Sequence, residues 1–324
     1  MKKQRKSRGL GMTFIIVCLV LSGCGAGTQE AALGSAEEYV QAAKTALAGQ
    51  DSFTANFDAT IAMNNAGRGS MTTKGTVTFV KEPLYMKVDT DMGFDNGSQR
   101  YILYLQKGEA EKNEDGVNQY MNYDGQWTEM TLQKTDAMNS VQIYNTAENM
   151  ETLLAAAENC TMQENGGKAV ISADIPAEKL YDVEAAGRFF QIAGMSSLSE
   201  VYFKGIGDVP VTFVLDKKTG APISYEIDLA QALEKVTNNV LSELSSDNES
   251  SGITVQTYRI SSELTQLGNV KAGEIPDEVK SSAINYEREI SMLESDKEEI
   301  RDNKNPFCMA QGGFFFDFSG FYGK

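Results

Sequence analysis

The chain has 324 residues with no histidine, and 45 acidic against 29 basic residues give a formal net charge of −16. The lack of histidine excludes Ser-His-Asp and Cys-His nucleophile systems and His-ligated zinc. No GxGxxG, GxxxxGK[ST] or GxSxG motif occurs. Phosphate binding needs concentrated positive charge, which this acidic chain lacks. We therefore expect no nucleic-acid partner, no metal, no cofactor, no catalytic residues and no enzymatic activity.

Residues 1–23 have the features of an export signal. Five basic residues and no acidic one flank an apolar run, Met12 to Leu21, that is too short to span a bilayer. The following residues, Leu21-Ser22-Gly23-Cys24, resemble the bacterial lipobox, in which the cysteine thiol receives a diacylglyceryl group and becomes the new N-terminus. We predict lipidation of Cys24 and a lipid-anchored position on the extracytoplasmic face of the cell membrane. An ordinary signal peptide that happens to contain a cysteine is the alternative.

Cleavage before Cys24 would leave 24 basic and 45 acidic residues, a formal charge of −21. Anionic headgroups would repel so acidic a body, so the lipid anchor has to hold it at the membrane. Of the four cysteines, Cys18 leaves with the signal, and Cys160 and Cys308 remain to pair. One possible bridge does not make a disulfide scaffold, and the sequence does not decide whether it forms.

The first half of the remaining chain is predicted to be a helix followed by an antiparallel meander. Ser35 to Glu38 is a capping box, and apolar residues at helical spacing lead to a stop at Gly49. From Phe53 to Met63 the period changes to two, which indicates a strand with one apolar face. Asp124-Gly125 is a strong hairpin signal. Further strands are predicted around 77–79, at 84–88, 101–106, 117–123 and 126–132.

The second half mixes helices with further strands. We predict helices at 137–157, from Pro176 and at 229–240, and strands at 169–175, 201–203 and 253–263. The clearest hairpin runs from 211 to 227 across a Lys-Lys-Thr-Gly turn. The total is about ten strands and four helices before residue 280. Because the strands follow one another without helical crossovers, we predict an α+β fold, with a single curved antiparallel sheet wrapped as a half-barrel around a few helices.

This order of elements, with "D-x-x-T-G-x-P" at 216–222 and "I-P-D-E-V" at 275–279, resembles the LolA/LolB/LppX-like half-barrel lipoproteins, especially their uncharacterised Gram-positive relatives. The resemblance covers residues 35–283. It implies a curved sheet around helices with an apolar groove that carries or presents lipid acyl chains, and it transfers no catalytic residue. The chain then divides into a signal at 1–23, a lipidated spacer at 24–34, the half-barrel at 35–283, and a charged and Phe/Gly-rich segment at 284–324 outside the core.

The expected ligand is a lipid or another apolar small molecule, bound by side chains on the predicted strands. Methionine and aromatic side chains suit a groove that must fit flexible chains. Packing of the same side chains against the helices is the alternative for each of them. The candidate groove residues are Phe57, Ile61, Met63, Phe79, Met86, Met121, Trp127, Phe213 and Tyr225.

The C-terminal segment allows a second function. Apolar residues from Val279 to Ile300 repeat at four-three spacing, which predicts a helix over 277–302. Such a helix would let the protein act as an envelope sensor or interaction module with a protein partner, or it would lie on its own domain or in solvent. The Phe- and Gly-rich end leaves three alternatives: insertion into the groove, contact with the membrane, or disorder. An enzyme that uses a carboxylate pair ranks third among the functions.

Overall fold

A computed structural model describes residues 33–65, 68–108, 116–123, 125–195, 198–244 and 252–285. In these ranges the helices are α1 Ala36–Leu47, α2 Lys134–Tyr144, α3 Thr146–Ala156, α4 Leu180–Gly187, α5 Ala230–Leu244 and α6 Asp277–Ser282. The strands are β1 Ser52–Asn65, β2 Arg68–Val80, β3 Tyr85–Phe94, β4 Gly97–Lys107, β5 Gly116–Tyr123, β6 Gln126–Gln133, β7 Glu158–Asn165, β8 Lys168–Ile175, β9 Val209–Asp216, β10 Pro222–Asp228, β11 Thr254–Leu267 and β12 Ile284–Asn285. None of the described helices is long and apolar enough to cross a membrane.

The twelve described strands form one sheet, in the order β12-β6-β5-β4-β3-β2-β1-β11-β10-β9-β8-β7. Neighbouring strands run antiparallel, except that β12 runs parallel to β6. The predicted α+β class with one large, open, curved sheet is confirmed, although the described residues contain twelve strands where about ten were expected. Strands β1 and β11 lie at the centre, so residues far apart in sequence share the core.

The alternation that predicted the strands also divides the sheet into two faces. On β1 the side chains of Phe53, Phe57 and Ile61 are buried, whereas those of Asn56 and Asp58 point to the opposite face and reach solvent. We call the face of Phe53 the inner face, because the helices pack against it. The main core lies between this face and helices α1 to α5, and it is one continuous cluster of buried apolar side chains.

Helix α1 begins and ends where the sequence predicts. The Glu38 N–H donates to Ser35 Oγ at 3.3 Å, and the Ser35 N–H donates to the Glu38 carboxylate at 3.3 Å. After Leu47 the chain turns at Gly49, whose φ of 73° lies in the left-handed region that favours glycine. The Tyr39 hydroxyl donates to the Lys217 carbonyl oxygen at 2.7 Å, which fixes the helix against the turn between β9 and β10.

The "D-x-x-T-G-x-P" motif forms that turn and has a structural role. Asp216 Oδ1 accepts hydrogen bonds from the Lys218 N–H at 3.0 Å and from the Thr219 N–H and hydroxyl, both at 2.9 Å. These bonds, the Thr219 N–H first, lower the pKa of the Asp216 carboxyl. A Cβ atom at Gly220 would lie only 2.5 Å from Ala42 Cβ, so glycine lets α1 approach the turn closely.

A second, smaller core lies on the outer face of β2 to β6. Val80, Tyr85, Tyr104 and Tyr120 are buried there beneath the segment 268–285, which we call the C-terminal strap. Ile275 and Val279 are the buried side chains that the strap contributes. The strap ends in β12, which pairs with β6 at one edge of the sheet. The strap therefore covers the outer face of this part of the sheet.

Two predicted elements in the middle of the chain differ from the structure. The predicted helix 137–157 is divided into α2 and α3 at Asn145, because the Asn145 side chain accepts a hydrogen bond from the Glu148 N–H at 3.3 Å and caps α3. The predicted strand 201–203 is a 3₁₀ turn, Glu200–Phe203. Phe203 packs there against the rings of Tyr181 and Phe190, and a short apolar run does not by itself distinguish strand from helix.

The predicted helix over 277–302 is confirmed for residues 277–282 and is wrong for the other described residues, 283–285. Helix α6 ends at Ser282, and Ile284–Asn285 is a strand. The physical reason is tertiary: Val279 and Ala283 pack into the outer-face core, and the strand pairing with β6 follows directly. Residues 286–324, which contain the rest of the predicted helix and the Phe-rich end, lie outside the described residues, as do Cys24 and Cys308.

Candidate binding site on the inner face

Eight of the nine predicted groove residues do lie together on the inner face of the sheet. Seven of them are buried within the main core, and Met121 is partly buried against it. Their burial fits the alternative of packing against the helices, and a role as ligand contacts stays a prediction. The seven buried residues are Phe57, Ile61, Met63, Phe79, Met86, Phe213 and Tyr225.

Trp127 is the exception and does not belong to the inner face. It lies opposite Asn122 on β5, and its ring is 5.8 Å from that of Tyr104 in the outer-face core. The reason is strand parity: on β6 the inner positions are 126, 128, 130 and 132, and Trp127 falls between them. The expectation that Trp127 lines the groove is therefore corrected.

Coverage of the inner face decreases toward the β6 edge of the sheet. Strand β6 has no buried residue. Two large side chains at the ends of inner-face rows are exposed, Phe94 by 40% and Tyr123 by 56%. Near Tyr123, Tyr101 lies opposite it on β4 and Met121 is the next inward residue on β5, and both are only partly buried, as is Met130 farther along the sheet on β6. We call these five residues the rim. Sequence reasoning missed Phe94, Tyr101 and Tyr123, although two-residue spacing from Met92 and Met121 indicates the inward position of Phe94 and Tyr123.

One cross-strand row connects the main core to the rim. Phe57, Gly75, Thr90, Tyr101 and Tyr123 lie opposite one another on β1 to β5. With about 4.8 Å between strands, this row extends about 19 Å from a buried residue to an exposed one. The apolar surface of the core thus continues to solvent at the rim.

The backbone of β3 approaches this row closely at Gly75, where only glycine fits. A Cβ atom there would overlap the Asp89 carbonyl oxygen and would lie 2.6 Å from Thr90 Cα. The close approach of β3 leaves two small residues, Gly75 and Thr90, between Phe57 and Tyr101. Tyr144 of α2 packs edge-on against Phe57 there, with 5.6 Å between the ring centroids.

The polar side chains on this part of the inner face are uncharged: they carry hydroxyls or, at Gln99 and Gln119, amides. Burial raises the pKa of the Tyr101 and Tyr144 hydroxyls, so both remain neutral at physiological pH. The Thr90 hydroxyl donates to the Tyr101 carbonyl oxygen at 3.5 Å. Thr73 is also buried, and its hydroxyl has no hydrogen-bond partner among the described residues. Such a surface suits an apolar ligand with few polar groups.

Helix α2, which lies beside β5 and β6, is held by a polar cluster. Arg188 donates from Nε to Gln142 Oε1 at 2.7 Å and from Nη2 to Asn139 Oδ1 at 2.8 Å. Nearby, the Glu184 carboxylate accepts from the Phe190 N–H at 3.0 and 3.1 Å. Burial raises the pKa of Glu184 to about 8, although these N–H groups and Arg188 act in the other direction. The cluster fixes one wall beside the rim.

A different kind of cleft lies on the outer face of the central strands. Its volume is about 590 Å³, and most of its lining side chains are charged or polar. The Lys74 ammonium is 2.9 Å from Asp58, and Glu226 pairs with Arg259 at 3.3 Å, both in exposed positions. This lining suits a hydrophilic ligand and not an acyl chain. The polar side chains that line it from the outer face are Asn56, Asp58, Lys74, Thr76, Thr212, Ser224, Glu226, Ser261 and Glu263.

The described residues contain no cluster of three or more His, Cys, Asp or Glu side chains able to hold a metal ion. Within the same ranges Cys160 is a free thiol. Burial raises the pKa of this thiol, and the charge of Glu37 adds to the effect. A thiol held protonated is a weak nucleophile, so Cys160 offers no catalytic group.

The chain was then compared with known proteins. A family model described as a family of unknown function, DUF6612, matches residues 35–284. No curated protein matches the chain. Among solved structures, a candidate outer membrane lipoprotein-sorting domain from Vibrio parahaemolyticus is similar, with 9% identity, coverage of 76% of this chain and 97% of that chain, and a TM-score of 0.23. A likeness at this TM-score carries no argument about the function of this chain.

Proposed function

Since the chain belongs to the DUF6612 family, whose function is unknown, we propose a function from its own residues. The protein is an envelope lipoprotein, held by acyl chains on Cys24 at the extracytoplasmic face of the membrane. It binds an apolar ligand, a lipid or a lipid-linked molecule, between the inner face of the sheet and the helices. It acts by burial of that ligand, without catalysis.

The observation that carries this proposal is the continuity of the inner face with the rim. The same rows that form the main core end in Phe94 and Tyr123, which are 40% and 56% exposed. Exposed aromatic side chains that continue a buried apolar face support a binding surface there, since exposed apolar patches mark such surfaces. The partly buried methionines of the rim, Met121 and Met130, adapt to flexible chains.

The anchor is supported by the signal and by the charge of the mature chain. A basic segment, a short apolar run and a lipobox-like sequence end at Cys24. A mature chain with a formal charge of −21 has no electrostatic attraction to anionic headgroups, so acyl chains are the means that would keep it at the surface. A groove for lipid is useful in a protein held within reach of the bilayer.

The ligand proposal is tested with the mature chain from residue 24, carrying Cys24→Ser so that it cannot be acylated. The protein is incubated with phosphatidylglycerol vesicles, separated from them, and examined by native mass spectrometry for retained lipid. We expect one lipid per chain for the parent protein and at least a tenfold loss of affinity for Phe94→Asp/Tyr123→Asp, because carboxylates at the rim oppose entry of an acyl chain. Val201→Asp is the matched control, since Val201 is 59% exposed but lies away from the sheet.

Two results would contradict the ligand proposal. A parent protein that retains no lipid would remove the function, and equal retention by the rim double variant would remove the rim as the entry site. The anchor is tested separately in cells. Cys24→Ser in the full chain should move the protein from the membrane fraction to the soluble extracytoplasmic fraction with its circular dichroism unchanged.

A further inference from the structure

The further inference concerns the side chain of Thr73 on strand β2. Thr73 is only 2% exposed, and its Oγ1 has no hydrogen-bond partner among the described residues. Burying a hydroxyl without a partner costs stability, because the group loses its hydrogen bonds to water. Valine has nearly the same shape and would avoid this cost. An unpaired threonine in a buried position therefore needs a reason other than packing.

The surroundings of Thr73 offer no donor or acceptor on the adjacent strands. Thr73 lies opposite Ala59 on β1 and Met92 on β3, and both are fully buried. Its closest analogue, Thr90, is equally buried, but the Thr90 hydroxyl donates to the Tyr101 carbonyl oxygen. The two threonines thus form a matched pair on the inner face. Thr90 has a hydrogen-bond partner among the described residues, and Thr73 has none.

The position of Thr73 is close to the rim. Met92 lies across from Thr73, and Phe94 is the next inward residue along β3. Neighbouring strands are about 5 Å apart, and two residues along a strand span about 7 Å. About 8 Å therefore separates the Thr73 backbone from the Phe94 backbone. A ligand chain that enters at Phe94 would reach the Thr73 hydroxyl within its first segment.

We propose that Thr73 Oγ1 donates a hydrogen bond to a carbonyl oxygen of the bound ligand, and that the ligand is an ester-linked acyl lipid. A neutral acceptor is required, because a charged phosphate or carboxylate beside Ala59 and Met92 would lose its solvation without an ionic partner. A pure hydrocarbon chain would leave Thr73 unpaired. This inference rests on the proposed function, and it adds the linkage chemistry of the ligand and the residue that selects it.

The test compares two phosphatidylglycerols of equal chain length, one with ester-linked and one with ether-linked chains, in the Cys24→Ser mature chain. The ether lipid lacks the carbonyl acceptors. We expect the parent protein to bind the ester lipid about three- to tenfold more tightly, the range for one neutral hydrogen bond. Thr73→Val should bind both lipids equally, whereas the control Thr237→Val, at a buried threonine of α5 whose hydroxyl contacts Met195 Sδ, should keep the preference for the ester.

The unfolding temperature of each variant distinguishes failure of this inference from failure of the proposed function. Without lipid, Thr73→Val should unfold at a higher temperature than the parent protein, since it removes an unpaired buried hydroxyl, whereas Thr90→Val should unfold at a lower one. A parent protein that binds neither lipid overturns both the proposed function and this inference. Equal binding of the two lipids by the parent protein, or a lower unfolding temperature for Thr73→Val, overturns this inference alone.

Discussion

The two faces of the central strands show how one alternating sequence makes two different surfaces. On β1, Phe53, Phe57 and Ile61 are at most 3% exposed, while Asn56 and Asp58 between them line the polar outer cleft. The inner face excludes water and is continuous with the exposed aromatic rim. The outer face at the same strands is solvated and carries mainly polar and charged side chains. We therefore expect any apolar ligand of this domain to bind at the inner face.

The charges of the two faces differ in the same way. On the outer face, Lys74 and Asp58 form an ion pair in which both partners remain exposed, at 68% and 37%. On the inner side, Glu184 is partly buried, and its pKa is raised to about 8. Water screens the charges of the first pair more strongly than that of Glu184. Substitutions on the two faces should therefore have very different consequences for stability.

The largest difference is expected from neighbouring residues of β9. Phe213→Ala removes a ring that is fully buried in the main core and should lower the free energy of unfolding by about 3–5 kcal/mol. Thr212→Ala, one residue away on the outer face, should change it by less than about 0.5 kcal/mol. Urea denaturation of both variants measures this contrast. Similar losses for the two would show that the outer cleft is not simply solvated surface.

The next effect depends on pH and concerns Glu184. Its pKa is raised from 4.5 to about 8 in the folded protein, so folding favours the protonated carboxyl and stability falls as the pH rises from about 4.5 through about 8. Glu184→Gln stays neutral and keeps an oxygen for the Phe190 N–H. We expect it to be more stable than the parent protein at pH 9, by on the order of 3 kcal/mol, and nearly equal at pH 5.

The control for this effect is Glu226→Gln on the outer face. Glu226 is half exposed and pairs with Arg259 at 3.3 Å, so this variant should gain no stability at pH 9. The measurement is the urea midpoint at pH 5, 7 and 9. If Glu184→Gln shows the same pH dependence as the parent protein, Glu184 is ionised in the folded state at neutral pH, and the distinction between inner and outer charges fails for this residue.

Local sequence patterns were sufficient for the strands and for α1. Alternation from Phe53 to Met63 assigns each side chain of β1 to the correct face, and the Ser35 capping box and Gly49 locate both ends of the first helix. These features depend on residues within a few positions of one another. The antiparallel meander from β1 to β6 follows from the same local information, since strands that follow one another without crossovers usually pair, whereas the β1–β11 pair joins distant parts of the chain.

Features that depend on distant contacts were not predictable in this way. Strand parity puts Trp127 on the outer face, but this face holds a core only because the chain returns over it: the C-terminal strap supplies Ile275 and Val279 some 150 positions later. The same packing ends the predicted helix at Ser282. For the candidate site, sequence alternation finds which side chains point inward, but the exposure of Phe94 and Tyr123 depends on where the helices stop covering the sheet.

An intermediate effect is expected from the outer-face core. Trp127→Ala removes a partly buried ring that packs on Tyr104 and should cost about 2 kcal/mol. Because Trp127 lies on the opposite face from the rim, lipid retention by the folded variant should stay within about twofold of the parent protein. Phe94→Ala provides the reverse pattern, a small cost in stability with weakened retention. Loss of lipid binding in Trp127→Ala would show that the two faces are coupled through the sheet.

The smallest effect is expected from Lys74→Met. The Asp58 carboxylate at 2.9 Å raises the pKa of Lys74, but the ammonium is 68% exposed. Solvent and salt screen such a pair, so the urea midpoint should move within experimental error in 0.5 M salt. Val77→Lys makes the opposite change on the same strand, placing an ammonium in the main core, and should prevent folding. A loss of stability in Lys74→Met that persists at high salt would mean that the outer cleft buries its ion pair. Water would then be excluded from the outer cleft as well as from the inner face.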